Sequence, residues 1–167
     1  MSTGIAEYPP LPTVVIATAE RWAALRTALQ AGSVGPGQTI VTWDTFTGDA
    51  AGLVNSSGLV SGSGTLTAEV GGLFVVAAQV AIEAVAGVVS DPQIQIRRNG
   101  TVAAEHRVAG TTLGIFPGLL ALSTLMQLAV GDSFDVRFGH LTGAGTDQLA
   151  AAGATAASWI RVARVSQ

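Results

Sequence analysis

The sequence contains two histidines, His106 and His140, the side chains best suited to proton transfer or metal binding near neutral pH. They stand far apart in the sequence and do not form a pair with metal-ligand spacing. His106 falls on the even, apolar face of a predicted strand with Val102, Ala104 and Val108. This placement predicts a hydrogen-bonded core or interface histidine rather than a ligand. His140 ends another predicted strand beside a glycine-rich loop, and we expect its side chain to be exposed.

Among the carboxylates, Asp132 and Asp135 lie close together in the sequence. A general acid and base need converging carboxyl groups whose pKa values are pushed apart. Asp132 belongs to a predicted turn and Asp135 to the outward face of a strand, so convergence is not expected. A calcium site built from Asp132 or Asp147 with loop carbonyls is the alternative, and our leading expectation is that no metal is bound.

The motifs of phosphate binding and nucleophilic catalysis are also missing from the sequence. Gly62-Ser63-Gly64 lacks the surrounding pattern and the helix of a phosphate-binding loop, and no Gly-x-Ser-x-Gly nucleophile motif occurs. The chain has no cysteine, which excludes disulfides, thiolate zinc sites and cysteine catalysis. We therefore expect no enzymatic activity, no catalytic residues and no cofactor.

The composition points instead to a chain with partners. Charged residues make up 11% of the 167 residues, against a usual value of about 25%, while apolar residues make up 49%. Solubility normally rests on charge, so we expect much of the surface to be covered by other protein. All eight basic residues are arginine, which suits protein interfaces. They form no basic stripe and no apolar run is long enough to span a bilayer, so neither nucleic acid nor a membrane is an expected partner.

The first 37 residues are predicted to form an anchor that precedes the folded domain. Residues 1–16 look like an extended arm, because three prolines around Tyr8 favour polyproline II; a frayed terminus is the alternative. Residues 19–30 carry strong helix formers with an apolar stripe at three- and four-residue spacing, which predicts a helix, and residues 31–37 read as a linker. The expected partner-binding side chains of this anchor are Tyr8, Pro9, Pro10, Leu11, Val15, Trp22, Leu25 and Leu29.

Residues 38–167 show only strand signals and are predicted to form one all-β domain. Residues 74–84 carry apolar side chains at every even position, while the other face starts apolar at Leu73 and Val75 and turns polar at Gln79 and Glu83. Glycine-rich turn signals separate this strand from several others. This spacing is typical of an antiparallel sandwich or jelly roll. The candidate strands cover residues 39–46, 65–69, 73–84, 93–97, 101–108, 119–130, 134–140 and 156–165, with shorter pieces near Leu53 and Leu59.

Two turns allow the strand register to be predicted. A two-residue turn at Asn99-Gly100 would place Ile94 opposite Glu105, whereas a three-residue loop with Gly100 left-handed places Ile94 opposite Ala104 and Ile96 opposite Val102. Because register follows the buried face, we expect the three-residue loop. A two-residue loop at Gly131-Asp132 would likewise place even-numbered residues opposite odd-numbered ones. The apolar positions on both sides of this turn are all even, so a two-residue loop is excluded there.

The order of these motifs resembles the jelly roll of the tumour-necrosis-factor and complement globular-head family over about residues 39–165. The strand that begins Gly72-Leu73-Phe74 resembles the family's glycine–aromatic strand, and strands ending in Asn-Gly and Gly-Asp follow in the family's order. The resemblance implies a ten-stranded jelly roll that assembles as a homotrimer and binds rather than catalyses. We expect Phe134 and Trp159 to lie at the trimer interface.

The chain departs from animal members of that family, because it has neither a collagen-like stalk nor a secretory signal. A lysine-free composition rich in Ala, Gly, Val and Arg is typical of GC-rich bacterial or phage genomes. We therefore expect a phage virion protein, made in the bacterial cytoplasm, that decorates the capsid or forms a head fibre on the major capsid protein or another virion protein. The alternative is a receptor-binding tip of a tail fibre or baseplate that binds a host glycan or protein through loops 110–118 or 147–153.

Overall fold

The computed structural model of the protein describes residues 21–47, 53–55, 64–113, 118–151 and 157–166, and these contain strands and no helix. The strands are β1 (Arg21–Arg26), β2 (Gln30–Val34), β3 (Gly37–Ile40), β4 (Thr45–Thr47), β5 (Leu53–Asn55), β6 (Leu66–Ala68), β7 (Gly72–Ala86), β8 (Val89–Arg98), β9 (Thr101–Arg107), β10 (Thr112–Leu113), β11 (Gly118–Leu128), β12 (Ser133–Thr142), β13 (Thr146–Leu149) and β14 (Ser158–Ser166).

These strands form two antiparallel sheets that pack face to face. Sheet A runs in the order β2–β13–β7–β14–β1–β4, and β11 pairs with the other side of β7. Sheet B runs in the order β10–β8–β12–β6–β5, with β3 also on β12 and β9 also on β8. The prediction of an all-β jelly-roll sandwich is confirmed, and the number of strands exceeds ten because several segments of two to four residues pair separately.

The core follows from the alternation in the sequence. β7 buries its even side chains from Phe74 to Ile82, and β12 buries Phe134, Val136 and Phe138. Because successive strand residues point to opposite faces, each long strand contributes one side to the core. The largest fully buried side chain is Trp43, which lies between β3 and β4.

The long strand β7 gives the sandwich a lower end, where it begins, and an upper end, where it finishes. Arg21 opens β1 opposite Ala163, and Ser166 lies opposite Leu73, so both ends of the described chain are at the lower end. The Asn99-Gly100 turn is also there, because Asn99 N–H donates to Ser133 O at the start of β12. The upper end carries the turns after β2, β7 and β12.

The predicted helix over residues 19–30 and the linker over residues 31–37 are wrong. β1 pairs with β14 and β4, and β2 pairs with β13, so residues 21–34 belong to sheet A. Helix propensity is a weak preference, and two flanking strands that offer a full ladder of hydrogen bonds outweigh it. Burial follows a period of two, with Ala24 buried and Ala23 and Leu25 half-buried.

The predicted hairpin register is also wrong, although its parity is right. Arg98 pairs with Thr101, so the turn has two residues, and both Asn99 (φ 47°) and Gly100 (φ 78°) are left-handed. A shift in register after Arg97 then brings Ile96 opposite Ala104. A bulge in β9, beyond the two residue pairs next to the turn, thus restores the pairing of even with even residues. The predicted three-residue loop would have produced the same parity in a different way.

The strands on either side of Gly131-Asp132 do not form a hairpin. β11 pairs with β7 in sheet A, whereas β12 pairs with β8 in sheet B. The chain therefore crosses from one sheet to the other at this turn, and the two even faces meet across the core rather than side by side.

Candidate self-association surface

The outer face of sheet A carries an extended apolar surface. It consists of the outward side chains of four adjacent strands, β11, β7, β14 and β1, and their register places them in rows. One row reads Ala121, Gln79, Trp159, Leu25. We call this surface the outer face of sheet A; its described side chains are Ala23, Leu25, Leu73, Val75, Ala77, Gln79, Ala81, Glu83, Leu119, Ala121, Ser123, Leu125, Gln127, Trp159, Arg161, Ala163 and Val165.

Several of these side chains are strongly exposed although they are apolar. Leu125 is 63% exposed, Leu119 51% and Val165 46%. Scattered apolar residues are normal on protein surfaces, but a contiguous apolar face usually marks a site of association. The face can bury large area against a partner without removing many polar groups from water.

The charged side chains among the described members of this face are Glu83, near its upper end, and Arg161. The guanidinium of Arg161 lies over the ring of Trp159, 5.0 Å from the ring centroid. Such a stack holds the guanidinium in place by cation–π attraction. No carboxylate lies within ion-pair distance of Arg161 in the described part of the chain.

The side of the sandwich next to this face is open. β9 pairs only with β8, and β11 pairs only with β7, within the described residues. The two edge strands lie next to each other, and the ring Nδ1 of His106 is 2.8 Å from the backbone oxygen of Ala121. Most residues of β9 are exposed, including Val102 and Glu105. Unpaired strand edges of this kind are ready to contact another chain.

A buried imidazole–carboxylate pair joins the two sheets near the upper end. His140 Nδ1 lies 2.6 Å from Asp147 Oδ2, and both side chains are fully buried. Asp147 Oδ1 accepts the N–H of Ser33 at 2.7 Å. The pair resembles two members of a catalytic triad, but it has no access to solvent and therefore cannot reach a substrate. Its role in this geometry is to connect β12 with β13 and β2.

Three further aspartates hold turns together. Burial alone would raise the pKa of Asp44, but the N–H groups of Ala28 and Thr27 donate to its carboxylate and together lower the pKa. The N–H of Gly110 and the hydroxyl of Thr142 lower the pKa of Asp91.

Asp132 shows the largest effect of this kind. The N–H of Ala129, the amide of Asn99 and the guanidinium of Arg98 all donate to its carboxylate and lower its pKa to about 2. Its oxygens are therefore occupied by protein donors, which leaves the calcium alternative without support at this residue. Among the described residues, no group of three or more His, Asp or Glu side chains is arranged to hold a metal.

A shallow depression of about 360 Å³ lies beside the β8–β9 turn, lined by Arg98, Asn99, Thr101, Val102 and Ala103. It is wide open to solvent and holds no converging pair of acid and base. No helix in the described ranges is long and apolar enough to cross a membrane.

The side chains predicted to bind partners fall in different places. Tyr8, Pro9, Pro10, Leu11 and Val15 lie outside the described residues. The backbone of Trp22 is in β1, Leu25 is half-buried on the outer face of sheet A, and Leu29 is 54% exposed in the turn after β1.

The two residues predicted for the trimer interface, Phe134 and Trp159, differ in burial. Phe134 is 1% exposed and belongs to the core, so its side chain offers no surface to a second copy. Trp159 lies on the outer face of sheet A and is half-exposed. The alternation of side chains along the strand could have predicted the burial of Phe134, because it stands at an even position like the buried Val136 and Phe138.

His140 and Asp147 are placed opposite to expectation, and His106 is hydrogen-bonded as expected but does not belong to the core. His106 is exposed because β9 is an edge strand without a covering layer, and His140 is buried with Asp147. Residues 146–149 form β13 between β7 and β2, so the predicted exposed loop over residues 147–153 begins inside a sheet. The even position of His140, in line with Phe138, was the signal for its burial.

Comparison with known proteins identifies the class of fold. No protein-family model matches the chain, and no curated protein matches it in sequence. Solved structures do match: murine APRIL at pH 5.0 has a TM-score of 0.61 and 11% identity, over 88% of this chain and 99% of that one. Murine APRIL at pH 8.5 gives 0.53 and 11% over 88% and 99%. At pH 8.0 it gives 0.54 and 12% over 86% and 98%.

APRIL is a tumour-necrosis-factor-family structure, and the chain therefore has the tumour-necrosis-factor-like jelly-roll fold that the motif order predicted. At 11–12% identity this likeness concerns the fold alone.

Proposed function

We propose that this chain is a structural protein without enzymatic activity, a homotrimer subunit on the surface of a phage particle. There it decorates the capsid or forms a head fibre and contacts the major capsid protein or another virion protein. The observation that carries the proposal is the outer face of sheet A. An apolar face on four strands, with Leu125 and Leu119 more than half exposed, favours a protein that associates with its own copies.

The position of the termini supports attachment at one end. Arg21 and Ser166 both lie at the lower end of the sandwich, so residues 1–20 start from there. In a cyclic assembly whose axis runs along the strands, all copies present this end of the sandwich to the same surface. The upper end of the sandwich then faces away from the particle.

The composition supports the virion setting. The chain has no lysine and is rich in alanine, glycine and valine, as expected for a GC-rich phage. Only 11% of its residues are charged. Electrostatic repulsion between copies that are packed closely on a particle surface is therefore weak.

Self-association is tested by sedimentation and light scattering at micromolar concentration. The wild-type protein is expected to have three times the mass of one chain. A stable monomer contradicts the proposal. The matched variants are Leu125→Glu, on the outer face of sheet A, which is expected to weaken association, and Val130→Glu, which places the same charge on an exposed valine in the turn after β11 and is expected to leave association unchanged.

Attachment is tested by deleting residues 1–20 and measuring binding to undecorated capsids. Residues 21–37 are kept because they include β1 and β2 of sheet A and lead into β3 of sheet B, and their loss would unfold the domain. The shortened protein is expected to keep its fold and lose capsid binding. Unchanged affinity contradicts the role of the segment as an anchor.

A receptor-binding tip is the second candidate, and exposed side chains at the upper end favour it. Val34 is 84% exposed, Val88 56% and Val85 54%, all near the turns that point away from the termini. Purified protein on glycan and host-surface protein arrays separates the two functions. Binding that Val88→Asp abolishes supports the tip, whereas binding to capsids alone supports the decoration protein.

A further inference from the structure

The Asn99-Gly100 turn carries a side-chain amide that can react without an enzyme. Asparagine is a chemically labile residue, and a following glycine increases the lability because no Cβ hinders the next backbone nitrogen. That nitrogen attacks Cγ of the asparagine, the side-chain nitrogen leaves as ammonia, and a five-membered succinimide ring closes. Water then opens the ring to aspartate or, at the other carbonyl, to isoaspartate. One water is consumed and one ammonia is released, so no oxidant or reductant is needed.

The surroundings of the turn leave room for this ring. Asn99 and Gly100 are both exposed at the lower end of the sandwich. A Cβ built at Gly100 would meet nothing within 4 Å. The fold therefore neither crowds the attacking nitrogen nor keeps water away from it.

The amide group of Asn99 is held at both of its ends. Nδ2 donates to Asp132 Oδ1 at 2.7 Å, and Oδ1 accepts the N–H of Ser133 at 2.8 Å. The backbone N–H of Asn99 also donates to Ser133 O at 2.8 Å. We call these three hydrogen bonds the Asn99 clasp. They join the β8–β9 turn to the crossover between β11 and β12.

The Asn99 clasp opposes ring closure. The reaction rotates the side chain onto the backbone and makes Cγ tetrahedral, so the two bonds that hold the planar amide have to break first. The bond to Asp132 is charge-assisted, because the pKa of this carboxyl is lowered to about 2 and it is ionised at neutral pH. The amide is therefore reactive only in molecules in which the turn has opened locally.

The product of the reaction does not fit the Asn99 clasp. A carboxylate at position 99 has no N–H to donate, and it would lie beside the carboxylate of Asp132, where like charges repel. Asp132 is held in place by the guanidinium of Arg98 and the N–H of Ala129, so it cannot turn away without losing those bonds. Isoaspartate also adds one methylene to the backbone of a two-residue turn.

We propose that Asn99 is a site of spontaneous deamidation that the Asn99 clasp keeps unreactive: opening of the clasp frees the amide to react, and the modification then prevents the clasp from closing again. The turn thereby converts a transient opening at the lower end into a permanent one. This inference depends neither on self-association nor on the virion setting.

The rate of conversion at Asn99 tests the proposal. The full chain is kept at mildly alkaline pH, either native or in concentrated urea, and peptide mapping by mass spectrometry follows asparagine, aspartate and isoaspartate at this position. The native wild type is expected to convert at least about tenfold more slowly than the same chain in urea. Asp132→Ala is expected to raise the native rate about tenfold or more, because the amide has lost its charged acceptor.

The matched control is Asp44→Ala, which removes another aspartate that holds a turn but does not contact Asn99. It is expected to leave the native rate at Asn99 unchanged. Circular dichroism establishes that the variants fold. If Asp132→Ala does not fold, Asp132→Asn replaces it and is expected to give a smaller increase, because a neutral acceptor holds the amide less firmly.

Two kinds of result overturn the gating. If Asn99 stays unmodified in urea, the turn is not a reactive site. If the native and unfolded chains convert at equal rates, or Asp132→Ala is no faster than Asp44→Ala, the Asn99 clasp does not control the reaction.

The persistence of the open state is tested with Asn99→Asp, which stands in for the product. Hydrogen exchange of the backbone N–H at position 99 is expected to be about tenfold faster than in the wild type, because its bond to Ser133 O opens more often. Unchanged exchange contradicts the claim that the modification keeps the clasp open.

Discussion

Replacing Gly32 by alanine should destabilise the fold far more than the loss of a glycine ordinarily does. A Cβ at this position would lie 1.7 Å from Asp147 Oδ1 and 2.8 Å from Phe138 Cε2. The carboxylate cannot move without breaking its bond to Ser33 N–H or to His140, each worth about 1.5–3 kcal/mol. Overpacking adds about 1–3 kcal/mol. We expect Gly32→Ala to cost about 3–5 kcal/mol of unfolding free energy, measured by urea denaturation at fixed protein concentration.

The matched control is Gly35→Ala, three residues further on. Gly35 has φ +76°, and a Cβ there meets nothing within 4 Å, so this variant carries backbone strain of only about 1 kcal/mol. Adding Asp147→Ala to each variant completes the comparison, because removing the carboxylate should make Gly32→Ala less costly and leave the cost of Gly35→Ala unchanged. Equal costs for the two glycines, or strict additivity at Gly32, would refute the account.

Three other outcomes follow from the structure. Since the pKa of Asp132 is lowered from 3.8 to about 2, its contribution to stability is complete above about pH 4 and is lost as the pH falls towards 2; Asp132→Asn should therefore flatten the acid limb of a stability-versus-pH curve. Phe134→Ala should cost about 3–5 kcal/mol in chemical denaturation because the ring is fully buried, and a cost below 1 kcal/mol would argue against its place in the core. Trp159→Ala should weaken self-association in sedimentation experiments and leave the fold intact by circular dichroism, and the reverse pattern would place this side chain in the core.

The errors of sequence interpretation have physical causes. Residues 19–30 favour a helix by composition, yet residues 21–26 form β1 because β14 and β4 offer them a complete hydrogen-bond ladder. His106 follows the apolar parity of its strand and is nevertheless exposed, since parity tells which face a side chain is on and not whether another layer covers that face. The Asn99-Gly100 turn shows a related limit, because parity required even residues to face even residues but could not distinguish a longer loop from a two-residue turn followed by a bulge.

The candidate surface was predictable only in part. The scarcity of charge indicated a covered surface, and the alternation of β7 indicated which side chains point outward. The sequence could not show that the outward residues of β11, β7, β14 and β1 form one face, because the order of these strands depends on pairings between distant segments.

The sequence by itself determined the all-β character of residues 38–167, the buried face of β7 and β12, and the order of motifs that marks a tumour-necrosis-factor-like jelly roll. These features are local, since they follow from side chains that alternate within one strand and from turns between neighbouring strands. The tertiary structure alone decided that residues 21–34 belong to the sheets, that His140 and Asp147 meet in the interior, and that Arg161 is stacked on Trp159 on the outer face of sheet A. These features depend on which distant strands become neighbours, and that choice is made by the packing of the whole sandwich.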